Sequence, residues 1–106
     1  MNLGIFTVYD QKAKAYLPPF FLPEEDMAIR VFGDCCNDRD HQFGRHPEDY
    51  HLFGIGHFDD CKGTINETSP QLVASGQSLL RPEENGRKET ENSDDYSADE
   101  AASTDD

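Results

Sequence analysis

From Leu3 to Tyr9 the chain runs through Ile5, Phe6, Thr7, Val8 and Tyr9, a succession of β-branched and aromatic residues that predicts a strand. The next segment, Ala15-Tyr16-Leu17-Pro18-Pro19-Phe20-Phe21-Leu22-Pro23, is apolar but proline-rich. Proline fixes φ and removes a backbone donor, so an extended connector without regular pairing is expected there. At Pro23 the period changes. Proline at the first helical position, followed by Glu24, Glu25 and Asp26 where carboxylates favour the positive end of the helix dipole, predicts a helix start. Ala28, Val31, Phe32 and Cys35 fall at i, i+3, i+4 and i+7, and Ile29 and Cys36 widen that stripe, which predicts the buried face. Asn37, Asp38 and Asp40 supply turn chemistry, and the polar stretch from Arg39 to Asp49 continues no apolar period.

A second strand is expected over Tyr50-His51-Leu52-Phe53-Gly54-Ile55-Gly56-His57-Phe58, where the two glycines mark either a bulge or close packing by the helix. Asp59 to Gly63 reads as a turn, and Thr64-Ile65 as the start of a short third strand closing a hairpin. The fold class expected is therefore α+β: a small antiparallel sheet of two or three strands packed on one helix. Beyond Asn66 only Leu72, Val73, Leu79 and Leu80 could seed structure, with Gly76 between them, and no more than a transient helical turn is expected.

Composition sharpens that boundary. All seven phenylalanines, three of the four tyrosines, all three cysteines and all four histidines lie at or before Cys61. Six basic and eleven acidic residues precede Asn66, and three basic and eleven acidic residues follow from it. A domain over residues 1–65 and a disordered acidic tail over residues 66–106 are expected, because the tail cannot bury enough apolar area to offset its ordering entropy. The formal charge of −13 opposes sequence-independent binding to phosphate backbones. No apolar run approaches the roughly 18 residues of a membrane span, and the N-terminus lacks the basic flank and apolar core of a signal peptide. Three cysteines, two of them adjacent, fit a reduced cytoplasm better than a secreted disulfide framework. The sequon at Asn66 matters only in a secretory setting.

The set Cys35, Cys36, His41, His46, His51, His57 and Cys61 carries zinc-ligand types, but without the two closely spaced pairs of a structural zinc site. No metal and no cofactor is expected, and Cys35 reads as a small core hydrophobe. Cys61 lies between Asp60 and Lys62 with Asp59 close by, and the carboxylates disfavour a thiolate nucleophile. No histidine has an identifiable nucleophile and third partner, and Gly54-Ile55-Gly56 lacks the third glycine of a phosphate loop. The chain is therefore expected not to be an enzyme, and no catalytic residue is assigned. Lys12 and Lys14 beside Tyr16, Phe20 and Phe21, with Arg30, Arg39 and Arg45, form the candidate nucleic-acid or partner surface, since stacking rings and basic side chains serve single strands.

The ordered blocks Tyr9-Asp10-Gln11-Lys12-Ala13, Pro19-Phe20-Phe21, Ala28-Ile29-Arg30-Val31-Phe32-Gly33-Asp34, Asn37-Asp38 and His46 through Asp60 resemble the small nonstructural protein of gokushovirus-type microviruses, which are single-stranded DNA bacteriophages. The resemblance covers most of residues 3–65, and neither the acidic tail nor the Cys35-Cys36 pair has a counterpart in it. It implies a non-catalytic early protein of the host bacterial cytoplasm, often described as DNA-binding, that acts where viral replication turns from duplex synthesis to single-strand synthesis and packaging. Weighed against the acidic charge, it favours protein contacts, with the viral replication initiator or procapsid proteins as partners. Direct binding of single-stranded DNA and an acidic tail that mimics DNA are the two alternatives. No membrane partner is expected.

Overall fold

The computed structural model describes residues 1–82. Its elements are β1 (Asn2–Asp10), β2 (Ala15–Tyr16), β3 (Phe20–Leu22), α1 (Glu25–Cys36), α2 (Gln42–Arg45), β4 (Tyr50–Asp59) and β5 (Thr64–Ser75), with 3-10 turns at Pro47–Asp49 and Gln77–Leu79. All strand pairings are antiparallel. The sheet is ordered β2-β1-β4-β5, and β3 shares the β2 side of β1. The expected α+β class with two or three strands is corrected by this arrangement: the molecule is mostly β, a curled five-stranded antiparallel sheet carrying one helix of more than a single turn among the described residues.

Two of the extra strands come from the proline-rich connector. Ala15 and Tyr16 pair with Asp10 and Tyr9, and Phe20, Phe21 and Leu22 pair with Phe6, Ile5 and Gly4. Pro18 and Pro19 fall in the gap between them, where an edge strand can do without ladder donors. Across the gap the Leu17 amide donates to the Val8 carbonyl at 2.8 Å, and the Thr7 hydroxyl donates to the Leu17 carbonyl at 2.6 Å. One interrupted edge strand therefore lies along β1.

The remaining strand is longer than its sequence suggested. β5 continues past Ile65 to Ser75, and its burial pattern explains why composition concealed it: the first nine residues are exposed. Hydrogen bonding to β4, rather than burial, holds this strand. Pro70 sits where the ladder is interrupted, between the pairs Gly56–Glu67 and Gly54–Gln71. The chain then returns to α1, where the Asn37 side-chain amide donates to the carbonyls of Gly33 at 2.7 Å and Leu79 at 3.0 Å. The segment from residue 66 to 82 thus belongs to the fold, and the acidic tail expected beyond it lies, for residues 83–106, outside the described residues.

The two long hairpin turns share one design. The Asp10 carboxylate accepts from the amides of Lys12 and Ala13, as the Asp59 carboxylate accepts from those of Cys61 and Lys62. Each turn closes with a fifth residue at positive φ, Lys14 at 58° and Gly63 at 69°. Lysine at that position gives up the freedom that glycine has there.

The core forms where α1 crosses the sheet. Phe6, Val8, Tyr50 and Leu52 project from β1 and β4 onto Ala28, Phe32 and Cys36 of α1. The stripe follows i, i+4 and i+8, not the expected line through Val31 and Cys35. Val31 is 49% exposed and Cys35 is half-buried, whereas Gly33 is buried. The helix is rolled because Leu79, from the turn after β5, covers its Gly33 side. The Arg39–Asp49 stretch also contributes structure where none was expected. The His41 ring accepts from the Phe43 amide at 3.0 Å, and Phe43 inserts between Phe32 and Tyr50 at ring separations of 5.6 and 4.5 Å.

Candidate functional site

Strand alternation gives the sheet a second face that no helix covers. Side chains directly opposite one another across a sheet share a face. Tyr9 pairs with Tyr16, Ile5 with Phe21, Thr7 with Phe53, Leu3 with Phe58, Phe53 with Leu72 and Phe58 with Ile65. All of these lie opposite the Phe6, Val8 and Leu52 side. Ile5 and Thr7 are buried at the centre of the curl, and the surrounding rings remain accessible.

Two aromatic groups stand on this face. Tyr9, Tyr16 and Phe53 form a triad with centroid separations of 4.8, 5.6 and 6.3 Å, and Phe21 meets Phe58 edge-on at 5.8 Å. Such tilted and edge-to-face pairs contribute about 0.5–1.5 kcal/mol each beyond area burial. Tyr16 is 48% and Phe21 41% exposed, and Ile65 and Leu72 are each 61% exposed. Among the paired positions of this face, Glu67 is the only Asp, Glu, Lys or Arg. The acidic residues Glu24, Glu25, Asp26, Asp34, Asp38 and Asp40 instead lie in or beside α1, on the covering layer.

The structure divides the candidate surface residues. Tyr16 and Phe21 lie on the open face, and Lys12 and Lys14 are exposed in the turn that joins the strands of Tyr9 and Tyr16. Phe20 points the other way and packs against the Phe6 ring at 6.0 Å, so it belongs to the core. Arg30 is exposed on α1, Arg39 follows that helix, and Arg45 on α2 donates to the Asp40 carbonyl at 2.9 Å. These arginines belong to the helical layer and do not join the lysine hairpin in one surface. Tyr9, Phe53, Phe58, Ile65 and Leu72 complete the open face, although none of them is among the sequence candidates. Period-two spacing could not have found them, since Phe53 and Phe58 are five residues apart and Ile65 and Leu72 seven, and only the register shifts along β4 and β5 bring each pair to one face.

The thiols and imidazoles are dispersed. Cys35 and Cys36 lie on α1, and Cys61 is in the turn after β4. Burial pushes the Cys36 thiol up to about 11 with a further contribution from Cys35, and burial followed by the carboxylates of Asp34 and Asp38 raises that of Cys35. Both are therefore held as thiols at neutral pH. At the far turn the Met1 amine donates to Asp60 at 2.9 Å and to the Cys61 sulfur at 3.5 Å, and the bond from that amine lowers the Asp60 carboxyl below its ordinary range. His51 shares a hydrogen bond of 2.9 Å with the Gln11 side chain, beside Tyr9. The open face is suited to apolar contact over a broad area. No helix among the described residues is long and apolar enough to cross a membrane.

Residues 3–79 match the family model described as Phage ORF5 protein. No curated protein and no solved structure matches the chain.

Proposed function

The chain belongs to the Phage ORF5 protein family, and we propose that it is a non-catalytic protein that acts at the viral DNA replication and packaging complex in the host cytoplasm. In this proposal it favours single-strand synthesis and packaging by binding a viral replication initiator or a procapsid protein. The observation that carries the proposal is the open sheet face, where accessible Tyr16, Phe21, Ile65 and Leu72 surround a nearly uncharged centre. Exposed apolar patches of this kind mark interaction surfaces, and aromatic residues supply much of the energy at protein interfaces. The aliphatic Ile65 and Leu72 and the mutual tilting of the rings favour a protein partner over a row of stacked bases.

Lys12 and Lys14, placed beside Tyr16, support a second reading in which the same face holds single-stranded DNA. Co-purification with the replication initiator or a capsid protein separates the two when it is repeated after nuclease digestion. Capture that survives digestion and is lost in Leu72→Glu supports the protein contact. Salt-sensitive binding to a single strand, with a slope of about −0.7 per phosphate contacted, and no nuclease-resistant capture would replace it with the second reading.

A further inference from the structure

Between α2 and β4 the chain makes a single 3-10 turn, Pro47–Asp49, with His46 at its N-cap. Side chains three apart eclipse in such a turn, which sets His46 over Asp49 with Glu48 beside them. One ring nitrogen of His46 and one carboxylate oxygen each of Glu48 and Asp49 lie within 4.8 Å of one another. His46 Nδ1 is 3.9 Å from Glu48 Oε2. The backbone beneath them is pinned: the Asp49 amide donates to the His46 carbonyl at 3.0 Å, and the Asp49 carbonyl accepts from the Gln11 amide at 2.8 Å.

The second observation concerns the Asp49 side chain. Asp49 is 9% exposed, yet among the described residues its carboxylate accepts no hydrogen bond and forms no ion pair. Arg45 nearby directs its guanidinium to the Asp40 carbonyl. A buried carboxylate without donors is costly and calls for a counter-charge. The other acidic cluster, Asp59-Asp60-Cys61, already holds the Met1 amine.

We propose that His46, Glu48 and Asp49 form a binding site for a divalent first-row cation, with one imidazole nitrogen and two carboxylate oxygens as protein ligands. Ligand atoms around a cation at about 2.0–2.2 Å lie about 3–4 Å from one another, so the His46–Glu48 separation needs little adjustment. The mixed nitrogen and oxygen set suits Mn²⁺ or Zn²⁺ better than the all-oxygen cages of Ca²⁺, and three protein donors leave positions open for water or an outside oxygen ligand. Cysteine and histidine spacing alone points away from metal because the carboxylates that complete this set do not enter into it.

The test is calorimetric titration of the full-length chain with Mn²⁺, beside Glu48→Gln, His46→Ala and Asp49→Asn. Glu48 is exposed, so Glu48→Gln keeps the fold and makes the comparison interpretable even where Asp49→Asn does not. The wild type should show one saturable site above the weak background of the acidic tail. Glu48→Gln and His46→Ala should each weaken it by about tenfold or more, the scale at which metal sites respond to a lost partner. Electron paramagnetic resonance of the bound Mn²⁺ should show a nitrogen hyperfine coupling that disappears in His46→Ala. Only weak, multiple binding, or a tight site unchanged by Glu48→Gln and His46→Ala, would overturn the proposal and leave an adventitious ion on the acidic surface.

Discussion

The two faces of this sheet are built from alternate residues of the same strands and have opposite fates. On one, Phe6, Val8, Tyr50 and Leu52 lie under α1, and Phe32 beneath the helix is 1% exposed. On the other, Tyr9, Tyr16 and Phe53 meet in one ring cluster and Phe21 and Phe58 in another, at the sheet surface with no helix over them. Aromatic content does not distinguish the faces; coverage does. The covered face carries stability, and the open face holds apolar area that the fold leaves available for a partner.

Truncation at the centre of the covered face should produce the largest effect. Phe32→Ala is expected to cost about 3–5 kcal/mol, comparable to the whole stability of a small domain, and to abolish the cooperative transition in urea or heat. A melting curve like that of the wild type would break the assignment of the core.

Alkali should weaken the covered face next. The Cys36 thiol is raised from 9.0 to about 11 in the folded state. Its contribution to stability is therefore full below the unfolded value and is lost as pH rises from about 9 through about 11. The loss is on the order of 2 kcal/mol in all, since a tenfold change in proton affinity is worth about 1.4 kcal/mol and solvent near the sulfur screens part of it. Urea melts between pH 8 and 11 should show a fall that is shallower in Cys36→Ala. Equal slopes would mean that the thiol is not desolvated in the folded protein.

Substitution on the open face should separate stability from binding. Tyr16→Ala removes one ring from the surface triad and should cost no more than about 1 kcal/mol, while nuclease-resistant partner capture is lost. A large stability loss with capture intact would make this face structural. The smallest expected effect sharpens the roll of α1: Val31 is 49% exposed, so Val31→Ala should shift stability by less than about 0.5 kcal/mol. A loss of several kcal/mol would return the buried stripe to the line through Val31 and Cys35.

Three elements were legible in the sequence because each combined composition with clear punctuation. These were the Ile5–Tyr9 run of β1, the helix opened by Pro23 and its acidic first turn, and the aromatic β4. The others lacked one of those signals. β5 is an edge strand whose exposed polar residues look like a tail, and β2 and β3 are separated by prolines that argue against pairing until the edge position is known. Phe43 is a single apolar residue in a polar stretch, placed by the His41 cap. At the candidate site, ring and lysine chemistry was visible at Tyr16, Phe21, Lys12 and Lys14. Which neighbouring phenylalanine turned inward was not, since that depends on strand register: Phe20 and Phe21 are adjacent and serve opposite faces.

One irregularity decides where the rings of β4 point. Phe53 and Phe58 are five residues apart, an odd interval that strict alternation would place on opposite sides of the sheet. Ile55 is the extra residue that restores their phase: β1 pairs with Gly54 and then Gly56, skipping it. Gly56 accepts the resulting backbone at φ 157°, where a Cβ would come within 2.5 Å of the Asn66 carbonyl oxygen. A single-codon deletion at position 55 would thus take out the bulge and leave Phe53 and Phe58 four residues apart in regular alternation, with both rings still on the aromatic face. In a deletion scan of β4, the loss of this one residue would leave every paired side chain on its present face, whereas one residue inserted into β1 between Ile5 and Phe6, opposite Ile55, would turn Leu3 and Phe58 together towards the helix side.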